Sequence, residues 1–259
     1  WIIFSLTYIL TTLTILLIMV SFAPETILHI GKIPITNTIL HTILVDCLLL
    51  GGVFYLNKKL TLIPNNFFQN AMESIIETFY NLTESVAKPA ASKIFPYFMS
   101  FFLFILLSNW SSLIPGFGTI GIHEHGELIP FLRGATSDLN TTLGLALVSA
   151  VATHMLSIKT IGIKEYLSRY ISLNPLNLFI GILEIISEIT KVVSLSFRLF
   201  GNIFAGEVVL LTVSSIFAFI FPLPFLFLEI IVGMVQALVF SMLTMVFMAI
   251  LTTSHKQSH

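Results

Sequence analysis

The residues that stand out are charges in apolar surroundings. Two long apolar stretches hold them: 174–213 contains Glu184, Glu188, Lys191, Arg198 and Glu207, and 222–253 contains Glu229. A charge at the centre of a bilayer costs on the order of 3 kcal/mol on insertion scales, and more for Arg in simulations, so each is a candidate functional group. For Lys191 and Glu188, near one end of their stretch, a structural ion pair or a lysine stem reaching towards the interface is the plainer reading. That reading does not extend to Arg198. On a helix turning ~100° per residue, Glu184, Lys191, Arg198 and Ala205 are seven apart and form one slowly drifting stripe, with Asn202 beside it. Glu207, nine residues past Arg198, faces the opposite way and lies about 13 Å along the axis, beyond direct pairing. Glu229 and Gln236, also seven apart, share a face of the second stretch. A return turn at Pro222 to Pro224 sets Glu229 near the depth of Glu207, and Gln236 near that of Arg198.

This arrangement has a definite chemistry. An arginine side chain does not deprotonate in a protein, so in low dielectric Arg198 is a fixed positive charge that favours the ionised form of any carboxylic acid brought beside it. A passing acid would release its proton there. Lysine is a poor substitute, because burial lets it discharge. Two acids held together and partly desolvated, as Glu207 and Glu229 are expected to be, resist carrying two negative charges and are suited to relaying protons from an aqueous vestibule. Gly201, Ala205 and Gly206 leave room beside the stripe for another helix to approach closely.

The elements that hold these groups follow from composition. The 259 residues are 56% hydrophobic and 10% charged, with a mean hydropathy of +0.98, which excludes a water-soluble domain and places the chain in a bilayer. A net charge of −1 offers no basic field for nucleic acid, and partners are expected in the membrane. The single cysteine, Cys47, sits in an apolar run and is expected to be a buried, inert thiol.

Since a helix needs about 20 apolar residues to cross the hydrocarbon core, the spans are expected at 2–22, 38–56, 95–115 and 139–158, with 174–213 and 222–253 forming a long C-terminal hairpin. A helix over 174–213 would be about 60 Å long at ~1.5 Å per residue, twice the thickness of the core, so it must tilt steeply, bend or break. Residues 2–22 are read as a retained span, a cleaved leader being the alternative, because no basic residues precede them. Between 64 and 88, Phe68, Met72, Ile75, Ile76 and Phe79 recur at helical spacing opposite Asn70, Glu73, Glu77 and Glu84, the pattern of an amphipathic helix lying along the membrane surface. The expected fold is therefore all-α and polytopic, with five to six membrane helices and one surface helix in a single membrane domain. Alternating the connections puts Lys58, Lys59, Lys88, Lys93, Lys159, Lys164, Arg169 and Lys256 on one side and only Lys32 and Arg133 on the other. By the positive-inside rule the first set and the C-terminus face the cytoplasm.

The stretch SLSFRLFGNIFAGE, Ser194 to Glu207, closely resembles the signature of subunit a of F-type ATP synthases. The resemblance extends to PFLRGATSDLNTTLGLAL at 130–147, PNNFFQNAMESIIE, ISLNPLNLF and EIIVGMVQALVFSMLTMVF, covering the chain from about residue 33 onwards. It implies that Arg198 corresponds to the family's essential stator arginine facing a rotating ring of c subunits, with Asn202 and Gln236 its polar neighbours. It further implies that Glu207 is the inlet-channel acid, that Glu229 stands where other members carry His or Glu, and that Ser194, Glu184 and Lys191 fall on family positions towards the outlet. Glu188 is an additional acid without an assigned role. The resemblance implies partners in the c-ring, the subunit b peripheral stalk and the other synthase subunits, and no cofactor or metal of its own. The long external loop at 116–138 looks bacterial, implying the plasma (inner) membrane. Protons would enter past Glu207 and Glu229, load a ring carboxylate, and leave where that carboxylate meets Arg198.

Other readings compete. Two acids also suit a sodium ion, which favours oxygen ligands. A self-contained secondary ion transporter shares broken helices and midplane charges, but would be expected to show internal inverted symmetry, and none is evident. ATP chemistry itself lies elsewhere, because the chain has no GxxxxGK[ST] loop. His123, Glu124 and His125 are too closely spaced for a helical metal pair and read as a solvated loop, while His154, alone on an apolar span, reads first as a hydrogen-bonded packing residue and second as a proton carrier.

Overall fold

A computed structural model describes residues 24–30, 33–61, 67–114, 120–124, 127–170, 175–216 and 220–253. The expected span at 2–22 lies outside them, as does His125. The chain is an all-α polytopic membrane protein built from α1 (Asn37–Lys59), α2 (Phe67–Ala87), α3 (Ala91–Ser112), α4 (Leu139–Ile161), α5 (Ile163–Tyr170), α6 (Pro175–Ile216) and α7 (Pro222–Thr252). By length and composition, Asn37–Lys58, Gln69–Ser112, Leu139–Ile161 and Pro222–Thr252 can each cross a membrane.

The helix boundaries have local causes. Between α2 and α3 a single 3₁₀ turn, Lys88–Ala90, interrupts the helix: Pro89 has no N–H to donate, and Lys88 adopts a left-handed backbone at φ 38°. Gly162, at φ 85°, provides the turn from α4 into α5 where a side chain would be strained. Of the three options for the long apolar stretch, breaking is excluded: α6 runs unbroken for 42 residues. Two short antiparallel hairpins add to the helical architecture, β1 (Thr26–Ile30) with β2 (Ile33–Thr36) and β3 (Gly121–Glu124) with β4 (Glu127–Pro130). The second occupies part of the expected loop at 116–138.

The described residues divide into two compact units. One comprises those up to Val45 with Ile105–Thr142 and Arg198–Gln236; the other comprises Asp46–Phe104, Leu143–Phe197 and those from Ala237 onwards. The first is polar inside, with Asn37, His41, Ser108, Asn109, Thr136 and Ser137 all buried. The second has an apolar core of Ala87, Ala91, Ile94, Phe98, Leu156, Met245, Met248 and Ala249. Phe79 of α2 joins that core through ring contacts with Phe98 and Phe102 at 5.5 and 4.9 Å. Ser157 anchors α4 to the end of α7 by donating to the Leu251 carbonyl at 2.6 Å.

One expectation is corrected. Cys47 is exposed, as are Asp46 and Leu48 beside it. The physical reason is that a helix apolar all round needs no particular face turned to protein, since lipid is an equally good solvent for it.

Within the second unit, α5 lies so close to α6 that a Cβ at Gly181 would collide with the Tyr170 carbonyl, whereas Gly144 of α4 faces open space. Gly181→Ala is expected to lower the thermal stability of the detergent-solubilised chain by about 1–3 kcal/mol, and Gly144→Ala to leave it within about 0.5 kcal/mol. Equal melting curves for the two variants would show that the close approach is not a constraint.

Candidate functional site

Along α6, Ser194, Arg198, Asn202 and Ala205 are exposed, while Leu195, Ser196, Leu199 and Ile203 are buried. The helix therefore turns its Arg198 face away from the rest of this chain. Among the described residues Arg198 makes no hydrogen bond or ion pair. One turn on, Asn202 donates to the Gln236 side-chain oxygen at 2.8 Å, and Gln236 is buried. The spacing argument set Gln236 only near the depth of Arg198; the hydrogen bond to Asn202 joins α6 to α7 one turn from the arginine.

The two acids lie on backbone made bare by glycine. A Cβ at Gly206 would fall on the Glu229 carboxylate, and one at Gly134 would lie 3.1 Å from Glu207 Oε1. Glu229 is buried and Glu207 half-buried, and the two act on each other electrostatically. Glu207 has company that spacing along one helix did not reveal: Ser137 lies beside its carboxyl next to Gly134, and the Arg133 guanidinium acts on it electrostatically. Both come from the segment between β4 and α4, where Ala135–Ser137 forms a buried 3₁₀ turn.

A hydrogen-bonded frame holds that turn. His41 Nδ1 accepts from the Ala135 N–H at 2.8 Å, and His41 Nε2 meets Ser111 Oγ at 2.8 Å. Ser111 Oγ in turn donates to the Leu107 carbonyl at 2.6 Å. Since a backbone N–H only donates, Nδ1 must be the acceptor, which assigns the His41 proton to Nε2. Asn109 receives the Thr136 hydroxyl at 2.7 Å and donates to the Gly233 carbonyl of α7 at 3.0 Å. Asp138 caps α4 by accepting from the Asn140 N–H at 3.0 Å and the Thr141 hydroxyl at 3.1 Å.

The remaining predicted charges are paired within the second unit. Lys191 Nζ lies 2.7 Å from Glu188 Oε1 and 4.7 Å above the Phe247 ring. Glu184 Oε1 lies 3.3 Å from Arg169 Nε, a partner on α5 that the sequence did not mark. His154 Nδ1 meets the Tyr166 hydroxyl at 2.9 Å, and its Nε2 lies 3.9 Å from Glu188 Oε2. Burial, with Tyr166 and the carboxylates of Glu184 and Glu188 nearby, holds the Tyr170 phenol well above its usual range, so it stays protonated.

These features define a polytopic membrane protein that keeps ionisable groups inside its helices, some neutralised internally and one arginine on an outward face. The family model described as ATP synthase A chain matches residues 35–249. ATP synthase subunit a of Moorella thermoacetica is 32% identical over 232 residues, which are 90% of this chain and 98% of that one. Subunit a of Legionella pneumophila (strain Corby) is 32% identical over 85% of this chain and 88% of its own, and ATP synthase subunit a 2 of Pelobacter propionicus 32% over 87% and 90%. The chain belongs to the ATP synthase subunit a family. It is thus a membrane subunit of that complex, associated with the other synthase subunits in ATP synthesis and ion transport.

The glycine beneath Glu229 can be tested directly. Gly206→Val should reduce the amount of chain in membranes, because its side chain and the Glu229 carboxylate claim one volume; adding Glu229→Ala to the same chain should restore it. Immunoblots of membrane fractions read this out, and a double variant no better than the single one would contradict the packing.

Proposed function

We propose that this chain is the proton-translocating stator of the membrane sector, with Arg198 as the fixed charge that a ring of c-subunit carboxylates must pass. The observation that carries the reading is a permanent cation on an exposed face of an apolar helix with no counterion among the described residues. Left so in lipid, it costs on the order of 3 kcal/mol or more, and a carboxylate from a neighbouring subunit removes that cost. Ser194, Asn202 and Ala205 share the face, and their small or polar side chains allow a ring helix to come close.

On this reading protons reach the ring from the outer side through a half-channel lined by Glu207 and Glu229. Each glycine-seated carboxyl takes a proton and hands it on, and the loaded ring carboxyl turns neutral into lipid. At Arg198 the acid ionises, and its proton leaves to the cytoplasm past the charged cluster of Glu184 and Lys191. Because arginine stays charged, a proton cannot pass straight from inlet to outlet beside it, and transport is tied to rotation. About 2.3 kcal/mol per charge per 100 mV is available from the membrane potential, so several protons are coupled to each ATP. The peripheral stalk of subunit b would hold the chain still against the ring, and the setting is the bacterial plasma membrane. The sodium-coupled version is the weaker reading, since Arg133 beside Glu207 already supplies a positive charge where a bound cation would sit. Membership in the synthase family removes the self-contained secondary transporter.

Arg198→Ala should abolish proton-driven ATP synthesis in membrane vesicles, and Arg198→Lys should not restore it. Either variant retaining coupled synthesis at wild-type levels of assembled complex would refute the role. Glu207→Gln should slow coupled and passive flux by about 10-fold rather than abolish it, one carboxyl remaining to relay; unchanged flux would remove Glu207 from the path.

A further inference from the structure

The histidines of α1 and α4 are wired in opposite ways. His41 is buried and uses Nδ1 to accept a backbone N–H, so taking a second proton would cost it that bond. His154 has no such commitment. Its Nδ1 meets the Tyr166 hydroxyl, whose oxygen can accept an Nδ1–H from the neutral and the charged ring alike, and this leaves Nε2 with a lone pair that faces a carboxylate. Its side chain is 28% exposed and that of Glu188 16%, so water reaches the pair while the surroundings remain partly apolar.

We propose that Glu188 and His154 form a proton-accepting station on the cytoplasmic side of this chain, and that Tyr166 orients the imidazole within it. The inference rests on the reading of the chain as a proton-translocating stator. A proton that reaches the Glu188 carboxylate forms an O–H bond there, passes through one water bridging the 3.9 Å gap to the Nε2 lone pair of His154, and leaves from the imidazolium to cytoplasmic water, restoring both groups with no change in oxidation state. The charged and titratable groups around the pair allow this. Lys191 holds Glu188 Oε1 at 2.7 Å and leaves Oε2 facing the imidazole; Arg169 is occupied by Glu184 at 3.3 Å; and Tyr170, packed on Tyr166 at 5.2 Å between ring centres, stays protonated. Glu188, to which the stator chemistry gives no part, thereby acquires one, and His154 becomes more than a packing residue.

The station predicts a response to cytoplasmic pH. With the intact synthase in liposomes, cytoplasmic face outward and internal pH fixed, ATP synthesis is driven by an imposed potential while external pH is scanned. The soluble head's own pH response is common to all variants and cancels in ratios. His154→Gln should be at least about 3-fold slower than wild type at alkaline external pH, where the imidazole is free to accept, and the ratio should approach one in acid, where it is filled. Glu188→Gln should show the same pattern as His154→Gln, slower than wild type at alkaline external pH and equal to it in acid, since the proton no longer reaches the imidazole through a carboxylate. A uniform slowing of His154→Gln at every pH would mean a structural role and overturn the proposal, as would a wild-type profile. Should His154→Gln fail to assemble, Glu188→Gln decides alone, and a wild-type profile or a uniform slowing in that variant overturns it. Arg198→Ala in the same liposomes separates the two questions: coupled synthesis surviving that change refutes the stator reading, whereas its loss beside an unchanged His154→Gln profile refutes only the station.

Discussion

An arginine that cannot lose its proton, placed on the open face of an apolar helix, is the constraint on which the proposed mechanism turns. Every other buried or half-buried charge described in α6 has an answer within the chain. Lys191 has Glu188, Glu184 has Arg169, and Glu207 has Ser137 and Arg133. Arg198 has none among the described residues. The same side-chain chemistry thus serves two ends: charges satisfied internally join one element to another, and the charge left outward is, on the proposed reading, the one offered to a neighbouring subunit. The pairing of Arg169 shows that the chain can neutralise a guanidinium when a carboxylate is placed to do so.

The positions of the two acids follow from backbone rather than from side-chain packing. Glu229 rests on Gly206 and Glu207 on Gly134, so each carboxyl lies against main chain where any larger residue would displace it. Bare backbone offers a carboxyl a polar surface without a competing side chain, and it holds the group at a defined depth. The segment carrying Gly134 is itself held by buried hydrogen bonds from His41 and Asn109. Seated by shape, each of these two carboxyls is positioned whatever its own charge.

Much of this was legible in the sequence, and the limits are instructive. Helical periodicity found the stripe containing Arg198, because residues seven apart on one helix share a face whatever surrounds it. Depth matching across the Pro222 turn set Gln236 near the level of Arg198, and Gln236 is bonded to Asn202, one turn along from that arginine. Partners from other elements escaped. Nothing along α6 announces Arg169, Arg133 or Ser137, since contacts between segments depend on how helices pack and not on spacing within one. The glycines at 134 and 181 carried a signal of a kind, a missing side chain in helix-forming or buried surroundings, but what approaches them is a tertiary fact. Cys47 misled for a related reason: apolar neighbours mean burial in a soluble protein, while in a membrane they permit exposure equally well.

The unbroken course of α6 bears on the mechanism as well as on the fold. At ~1.5 Å per residue its 42 residues extend for about 63 Å, roughly twice the hydrocarbon core, so a straight crossing would leave half of it outside the bilayer. Its apolar exposed residues, among them Leu176, Phe179, Ile182, Ile186, Ile189, Val193 and Phe197, continue for about six turns before Arg198. A face of that length cannot rest in water. It is satisfied by an apolar environment, which lipid or the apolar surface of another membrane helix supplies equally well. Length and apolarity therefore place α6 in the membrane by an argument that does not depend on the charge of the arginine.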